Sequence, residues 1–301
     1  MSSRQARRAR TVSSTARQPN PAAPRHRRRS SARRVGLPVA VVVVAVSGLV
    51  LARLVVSDPP SLPERPATAL VSYDVAHVPA AALEAARSPA GVAGPERISA
   101  PSLSKAGKPE LVYVGAEFCP YCAAQRWALA VALSRFGTFS GLKMTESSTS
   151  DPTDPGTKTL SFFGSTYTSA YLSFTAVEET TNQPAGDFYR PLQRPTAAEA
   201  RLLSVYDAPP YASEAGGIPF LDFGGRYLLI GPSYDPAVLS GRSWTQIADA
   251  LSDPDSQVGR SINGAANVLS AVVCTMTAQR PGAVCGDPAV RSAHSALRAG
   301  S

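Results

Sequence analysis

The chain has 301 residues, 44% of them hydrophobic, with 30 Lys+Arg against 22 Asp+Glu and a formal charge of +8. The hydrophobic share excludes a chain disordered throughout. Eleven Arg and no acid lie in residues 1–34, so the rest holds 19 basic against 22 acidic groups; the folded part has no basic excess to attract nucleic-acid phosphates.

Residues 1–34 are rich in Arg, Ser, Pro and Ala and have almost nothing to bury, which predicts a disordered basic tail. Val35 opens an apolar run that reaches Val56, interrupted by Arg53. A helix needs roughly 20 such residues to cross the hydrocarbon core. Arg53 sits near the end, where it can snorkel to the headgroups. Residues 35–56 therefore read as a single N-terminal transmembrane helix. The positive charge precedes it, which puts the N-terminus in the cytoplasm and the body of the chain outside. A buried core helix is disfavoured because the run is apolar all round. A cleaved signal peptide is the stronger alternative, with Val55-Val56-Ser57 as a small-residue site. The long basic region and long apolar run favour an anchor, and either reading exports the body of the protein.

Residues 57–70 are Pro-rich and predict a spacer. A folded domain is expected over 71–286, followed by a flexible tail at 287–301. Within it, Val78–Arg87 reads as a short Ala-rich helix, and 88–109 as a loop. Leu111–Ala116 is a short apolar run that predicts a buried strand. Ala123–Phe136 predicts a helix with a broad apolar face, stopped by Gly137. Leu142–Ser148 is a candidate strand, 149–157 a turn region, and Tyr167–Glu179 a further strand. A polar loop follows. Thr196-Ala-Ala-Glu199 is a capping-box pattern opening a helix over Ala197–Tyr206, with Leu202, Leu203 and Tyr206 inward. Ile218–Phe223, Gly224-Gly225 and Arg226–Ile230 predict a hairpin with a tight two-residue turn. Ser243 is expected to cap a helix over Trp244–Leu251, and a last helix covers Val258–Thr277.

The chemistry-bearing motif is Cys119-Pro120-Tyr121-Cys122, where the strand meets the helix. Two intervening residues let both thiols meet at the first helical turn. The unpaired N–H groups and dipole at a helix N-terminus favour a thiolate on Cys119, and Pro120 suits the first turn. Cys119 is the expected nucleophile, Cys122 the resolving thiol, and a mixed disulfide the intermediate. The competing readings are a static disulfide or half a zinc site. Zinc would need two more ligands, and the remaining candidates are the widely spaced Cys274 and Cys285 and the lone His26, His77 and His294. No metal and no cofactor are expected.

The order strand, Cys-x-x-Cys helix, strand, helix, hairpin, helix resembles the thioredoxin superfamily. Gly115-Ala116-Glu117-Phe118-Cys119 is similar to the approach to the thioredoxin motif, and Pro-Tyr to the glutaredoxin dipeptide. The resemblance implies an α/β fold, a central sheet flanked by helices, with an extra C-terminal helix. It implies that Pro219 is cis and that Ile218-Pro219 faces the thiols, the Ile218 backbone pairing with a substrate strand. From the basic tail through Val114–Cys122 to Gly216-Gly217-Ile218-Pro219-Phe220, the chain also resembles a membrane-anchored thioredoxin-like family, domain of unknown function 929, of actinobacteria and archaea. Two departures stand out. Tyr113 occupies the place of the thioredoxins' buried acid, and the 100 residues from Cys119 to Pro219 imply an insertion at about 150–216.

Cys274 and Cys285 suit a structural disulfide in an oxidising compartment; an electron relay to Cys119 and Cys122 is the alternative. Trp127, Phe136, Phe174 and Phe220 read mainly as core. Phe118 and Tyr121 flank the thiols as candidate substrate contacts. Arg126 either adds positive potential or is a solvated helix residue. Two functions remain open. One is a membrane-anchored, extracytoplasmic thiol–disulfide oxidoreductase acting on exported proteins with a separate redox partner. The other is a non-catalytic binding or scaffold module of the cell envelope with a static disulfide.

Overall fold

The computed structural model describes residues 66–87 and 91–299. The expected basic tail, the 35–56 span and most of the 57–70 spacer lie outside the described residues. Among those described, no helix is long and apolar enough to cross a membrane.

Two short helices come first, α1 (Ala67–Ala76) and α2 (Ala80–Ala85), each entered from a proline, Pro66 and Pro79. The edge strands β1 (Glu96–Arg97) and β2 (Ser104–Lys105) lead into β3 (Lys108–Gly115) and then α3 (Pro120–Ser134). Four short strands follow: β4 (Thr138–Ser140), β5 (Lys143–Glu146), β6 (Lys158–Ser161) and β7 (Thr166–Thr168). They pair as β4 with β7 and β5 with β6. Next are β8 (Ser173–Glu178), the hairpin β9 (Thr180–Ala185) and β10 (Phe188–Pro191), and α4 (Ala197–Tyr206). The hairpin β11 (Phe220–Phe223) and β12 (Tyr227–Ile230) precedes α5 (Trp244–Ala250), α6 (Gln257–Met276), α7 (Gly282–Cys285) and α8 (Pro288–Ala299).

The main sheet is mixed. Its order is β1-β12-β11-β3, with β8 beside β3 and β2 pairing the start of β3. β8 runs parallel to β3, while β11 and β12 are antiparallel to their neighbours. The pleat sorts β3 by period two. Leu111 and Tyr113 join the larger core with α3 and α6, and Val112 and Val114 join a smaller one with Phe220 and Leu228. Helix α4 covers that second face with half-buried Leu202, Leu203 and Tyr206, and none of its residues is fully buried. Helix α3 is the opposite case, with thirteen of its fifteen residues buried.

The predicted strand at 111–116, the helices at 123–136, 197–206, 244–251 and 258–277, and the 218–230 hairpin all appear within a few residues of their expected limits. The Thr196–Glu199 capping box forms, and Ser243 makes a second one with Gln246. The hairpin loop is one residue longer than expected: Phe223 pairs with Tyr227, and Gly224 and Gly225 both take positive φ.

Several expectations need correction. The segment at 150–216 is not wholly an insertion, because β8 within it is a neighbour of β3 in the main sheet. The strand expected over 167–179 is broken into β7 and β8, because the Ser169 hydroxyl gathers the backbone N–H groups of Tyr171 and Leu172 into a turn. The polar loop after it folds into the β9–β10 hairpin. The loop at 88–109 contains two short edge strands. The spacer ends early, since α1 begins at Ala67. The flexible tail at 287–301 is largely α8, with Ala289, Val290 and Ala293 buried, because three small apolar side chains on one face are enough to seat it.

Candidate dithiol site

Strand β3 delivers the chain to the thiols, and Cys119 is the N-cap of α3 in an extended conformation. Its sulfur accepts the Cys122 backbone N–H at 3.2 Å, one of the donors a helix leaves unpaired at its start. Pro120 fills the first helical position, where a missing N–H costs nothing. The peptide Ile218–Pro219 is cis, and the Cys119 thiol lies 3.9 Å from the Ile218 carbonyl oxygen, toward which it donates. Both thiols are free and buried, Cys119 with 3% of its surface exposed and Cys122 with none. The Cys122 thiol and backbone N–H, joined by the Arg126 charge, hold the Cys119 thiol below its ordinary range against the opposing effect of burial. Burial pushes the Cys122 thiol well up. The two cysteines are thus unequal, with Cys119 the more acidic.

Beneath them lies a feature the sequence reading only half anticipated. Arg126 is fully buried, which rules out the solvated alternative, and it is paired with an equally buried Glu178. Its Nε donates to Glu178 Oε1 at 2.8 Å, and its Nη2 to Glu178 Oε2 at 2.7 Å and to the Ala116 carbonyl at 2.6 Å. Arg126 Nη1 is buried with no partner among the described residues. Arg126 follows Cys122 by four residues, so helical geometry puts both on one face. Glu178 comes from β8, where it stands opposite Gly115 in the ladder. No local pattern announces it. The available signal was a lone Arg in an Ala-rich helix, which demands a partner once that helix is buried.

Tyr113 is wholly buried with its hydroxyl unpartnered among the described residues and its ring edge-on to Phe162 at 5.3 Å. Burial holds the phenol far above its ordinary range, so it is neutral. A Cβ on Gly115 would collide with the Tyr113 hydroxyl and come within 3.1 Å of Cys122 Sγ, which makes glycine the residue that fits between them.

The flanking aromatics differ from each other. Tyr121 is 45% exposed. Phe118 is half-buried instead, stacked on Tyr189 at 4.3 Å and edge-on to Phe188 at 5.5 Å, both from the β9–β10 hairpin. Trp127, Phe136 and Phe220 are buried and Phe174 half-buried, all in the core. Cys274 and Cys285 form a disulfide that ties the end of α6 to α7. Among the described residues, no group of three or more His, Cys, Asp or Glu is placed to hold a metal ion.

The mixed sheet, the helix-capping cysteine and the cis-proline loop define an α/β domain presenting a paired dithiol. The chain belongs to the family described as Domain of unknown function (DUF929), which matches residues 95–186 and 196–275, more than half its length. No curated protein and no solved structure matches the chain.

Proposed function

We propose that the chain is an extracytoplasmic thiol–disulfide oxidoreductase, anchored through residues 35–56 with its N-terminus in the cytoplasm, and that its domain is thioredoxin-like. One observation carries the reading: Cys119 caps α3 within 3.9 Å of the carbonyl before a cis-proline. The order β8-β3-β11-β12, one parallel and two antiparallel pairings, supports the fold assignment. The Cys274–Cys285 disulfide supports an oxidising compartment.

In the exchange, the Cys119 thiolate attacks one sulfur of a substrate disulfide, and the substrate's other sulfur leaves as a thiolate. Cys122, deprotonated, then attacks Cys119 Sγ, which releases the second substrate thiolate and leaves a Cys119–Cys122 disulfide; the reverse sequence oxidises a substrate dithiol. The backbone of the part-exposed Ile218 and the side chains of Phe118 and Tyr121 would receive a substrate strand, while Pro219 is buried and would act by shaping the Ile218 backbone. The partners are exported proteins and a separate redox protein. The test uses the full chain in detergent with Cys122→Ser. A mixed disulfide on Cys119, trapped from an exported protein, is expected; none trapped, with no thiol–disulfide exchange by the wild type, would overturn the reading.

The near-complete burial of Cys119 favours a second reading, a binding or scaffold module whose dithiol does not turn over. Slow alkylation of Cys119 in the folded, reduced chain, comparable to that of Cys122, would select it.

A further inference from the structure

Resting on the oxidoreductase reading, we propose that the Arg126–Glu178 pair sets the direction of electron flow: Arg126, one helical turn after Cys122 and bonded to the same Ala116 carbonyl as the Cys119 N–H, favours the reduced pair and makes the chain an oxidant of exported dithiol proteins.

Three observations carry this. First, Glu178 takes two of the guanidinium's donors and the Ala116 carbonyl shares one of them, while Nη1 stays buried and unpartnered. A buried donor without a partner is a group awaiting an acceptor. Second, the polar side chain beside Cys122 at Gly115 is the neutral phenol of Tyr113, which adds no charge against a thiolate. Third, the reduced pair has one sulfur already receiving the Cys122 N–H at the N-terminus of α3. In line with this geometry, the Arg126 charge acts to make both thiols more acidic, against burial that still leaves Cys122 well above its ordinary range. A thiolate held by a fixed cation and a helix terminus stabilises the dithiol state against the disulfide, and a stabilised reduced form is what makes a pair oxidising.

The step balances within one turnover. A substrate thiolate attacks Cys119 Sγ of the Cys119–Cys122 disulfide; the S–S bond breaks, and its electron pair goes to Cys122 Sγ, which takes a proton. The substrate's second thiolate attacks the substrate sulfur of the mixed disulfide and releases Cys119 as a thiolate. The substrate loses two electrons and two protons. The chain gains the electrons and one proton, and the other proton goes to solvent. Arg126 touches neither substrate nor leaving group in this scheme and acts as a positioning residue through the thiols.

The experiment equilibrates the full chain in detergent with glutathione buffers and reads Cys119–Cys122 occupancy by peptide-resolved alkylation, which separates it from Cys274–Cys285. The double substitution Arg126→Met/Glu178→Gln removes both charges together. It should shift the equilibrium toward the disulfide about tenfold, about 30 mV for a two-electron couple, and should raise the pH at which Cys119 becomes reactive. A merely structural pair would move neither. Equal equilibrium constants and equal Cys119 titrations in the two proteins overturn the inference. Should the double variant not fold, the wild type carries the test alone. In glutathione at the poise of an oxidising secretory compartment its pair should stand mainly reduced, and a mainly oxidised pair overturns the proposal. A wild type that forms no Cys119–Cys122 disulfide overturns the oxidoreductase reading itself, and this inference with it.

Discussion

Glu178→Gln removes the charge from one half of the buried ion pair and leaves Arg126 with its own. Both side chains are fully excluded from water and joined by two hydrogen bonds of 2.7–2.8 Å. Unit charges roughly 4 Å apart at an effective dielectric of about 20 attract by about 4 kcal/mol. Breaking such a pair on one side costs about 3–5 kcal/mol. For a domain of this size each kcal/mol moves Tm by about 2–4 °C, so Tm should fall by about 10 °C. Arg126→Met should cost at least as much, because the Ala116 carbonyl also loses its 2.6 Å donor. The double variant should lose far less than the sum, since neither charge is then left alone. Thermal and urea unfolding of the full chain in detergent, followed by circular dichroism, closes the cycle. A loss below about 1 kcal/mol for Glu178→Gln, or additive losses in the double variant, would show that the pair is not the buried, mutually dependent unit described above.

Asp222 gives a pH test. Its carboxyl is raised to about 6, mainly by burial, although Oδ1 accepts the Gly225 N–H at 2.7 Å and Oδ2 has no partner among the described residues. The folded state thus binds a proton that the unfolded state releases near pH 4. Stability should therefore fall as pH rises from about 4 to 6, by about 2 kcal/mol; Asp222→Asn should flatten that slope in urea titrations. Gly225→Ala forces a side chain onto φ +72° and into the Pro101 carbonyl. A loss of roughly 1–3 kcal/mol is expected in thermal melts. Cys274→Ser/Cys285→Ser opens a loop spanning a sequence separation of 11 and should cost about 3 kcal/mol in urea unfolding. Tyr189→Ala removes the ring stacked on Phe118 and should speed iodoacetamide labelling of Cys119 several-fold; an unchanged rate would mean that the hairpin does not restrain the motif loop.

Local chemistry made much of this architecture readable in advance. The run from Leu111 to Ala116, the Gly224-Gly225 turn and the Thr196 and Ser243 caps each act within a few residues of themselves, so their signals are written in short stretches. The Cys-x-x-Cys at a strand–helix junction belongs to the same class. What escaped depends on distant partners. Arg126 has no visible counter-charge nearby, because Glu178 lies 52 residues away and is brought in by a parallel strand pairing. Phe118 looked free because Phe188 and Tyr189 reach it from a hairpin whose Thr, Asn and Gln residues resemble a loop. Helix α8 looked like a tail because its inward face is built mainly from alanines, which carry little hydrophobic contrast.

Two consecutive acids at the end of β8 meet opposite fates. Glu178 points to the core and to Arg126, while Glu179 lines a cavity on the other face with Leu203 and Asp207. Strand parity alone separates them. The β9–β10 hairpin starts directly after this pair, and its far end grips Phe118, the neighbour of Cys119. The hairpin is therefore moored to the thiols at two points, through the backbone to the carboxylate beneath them and through a stacked ring to the residue beside them. A tug on its exposed tip, where Phe188 lies 59% uncovered, pulls on both moorings at once.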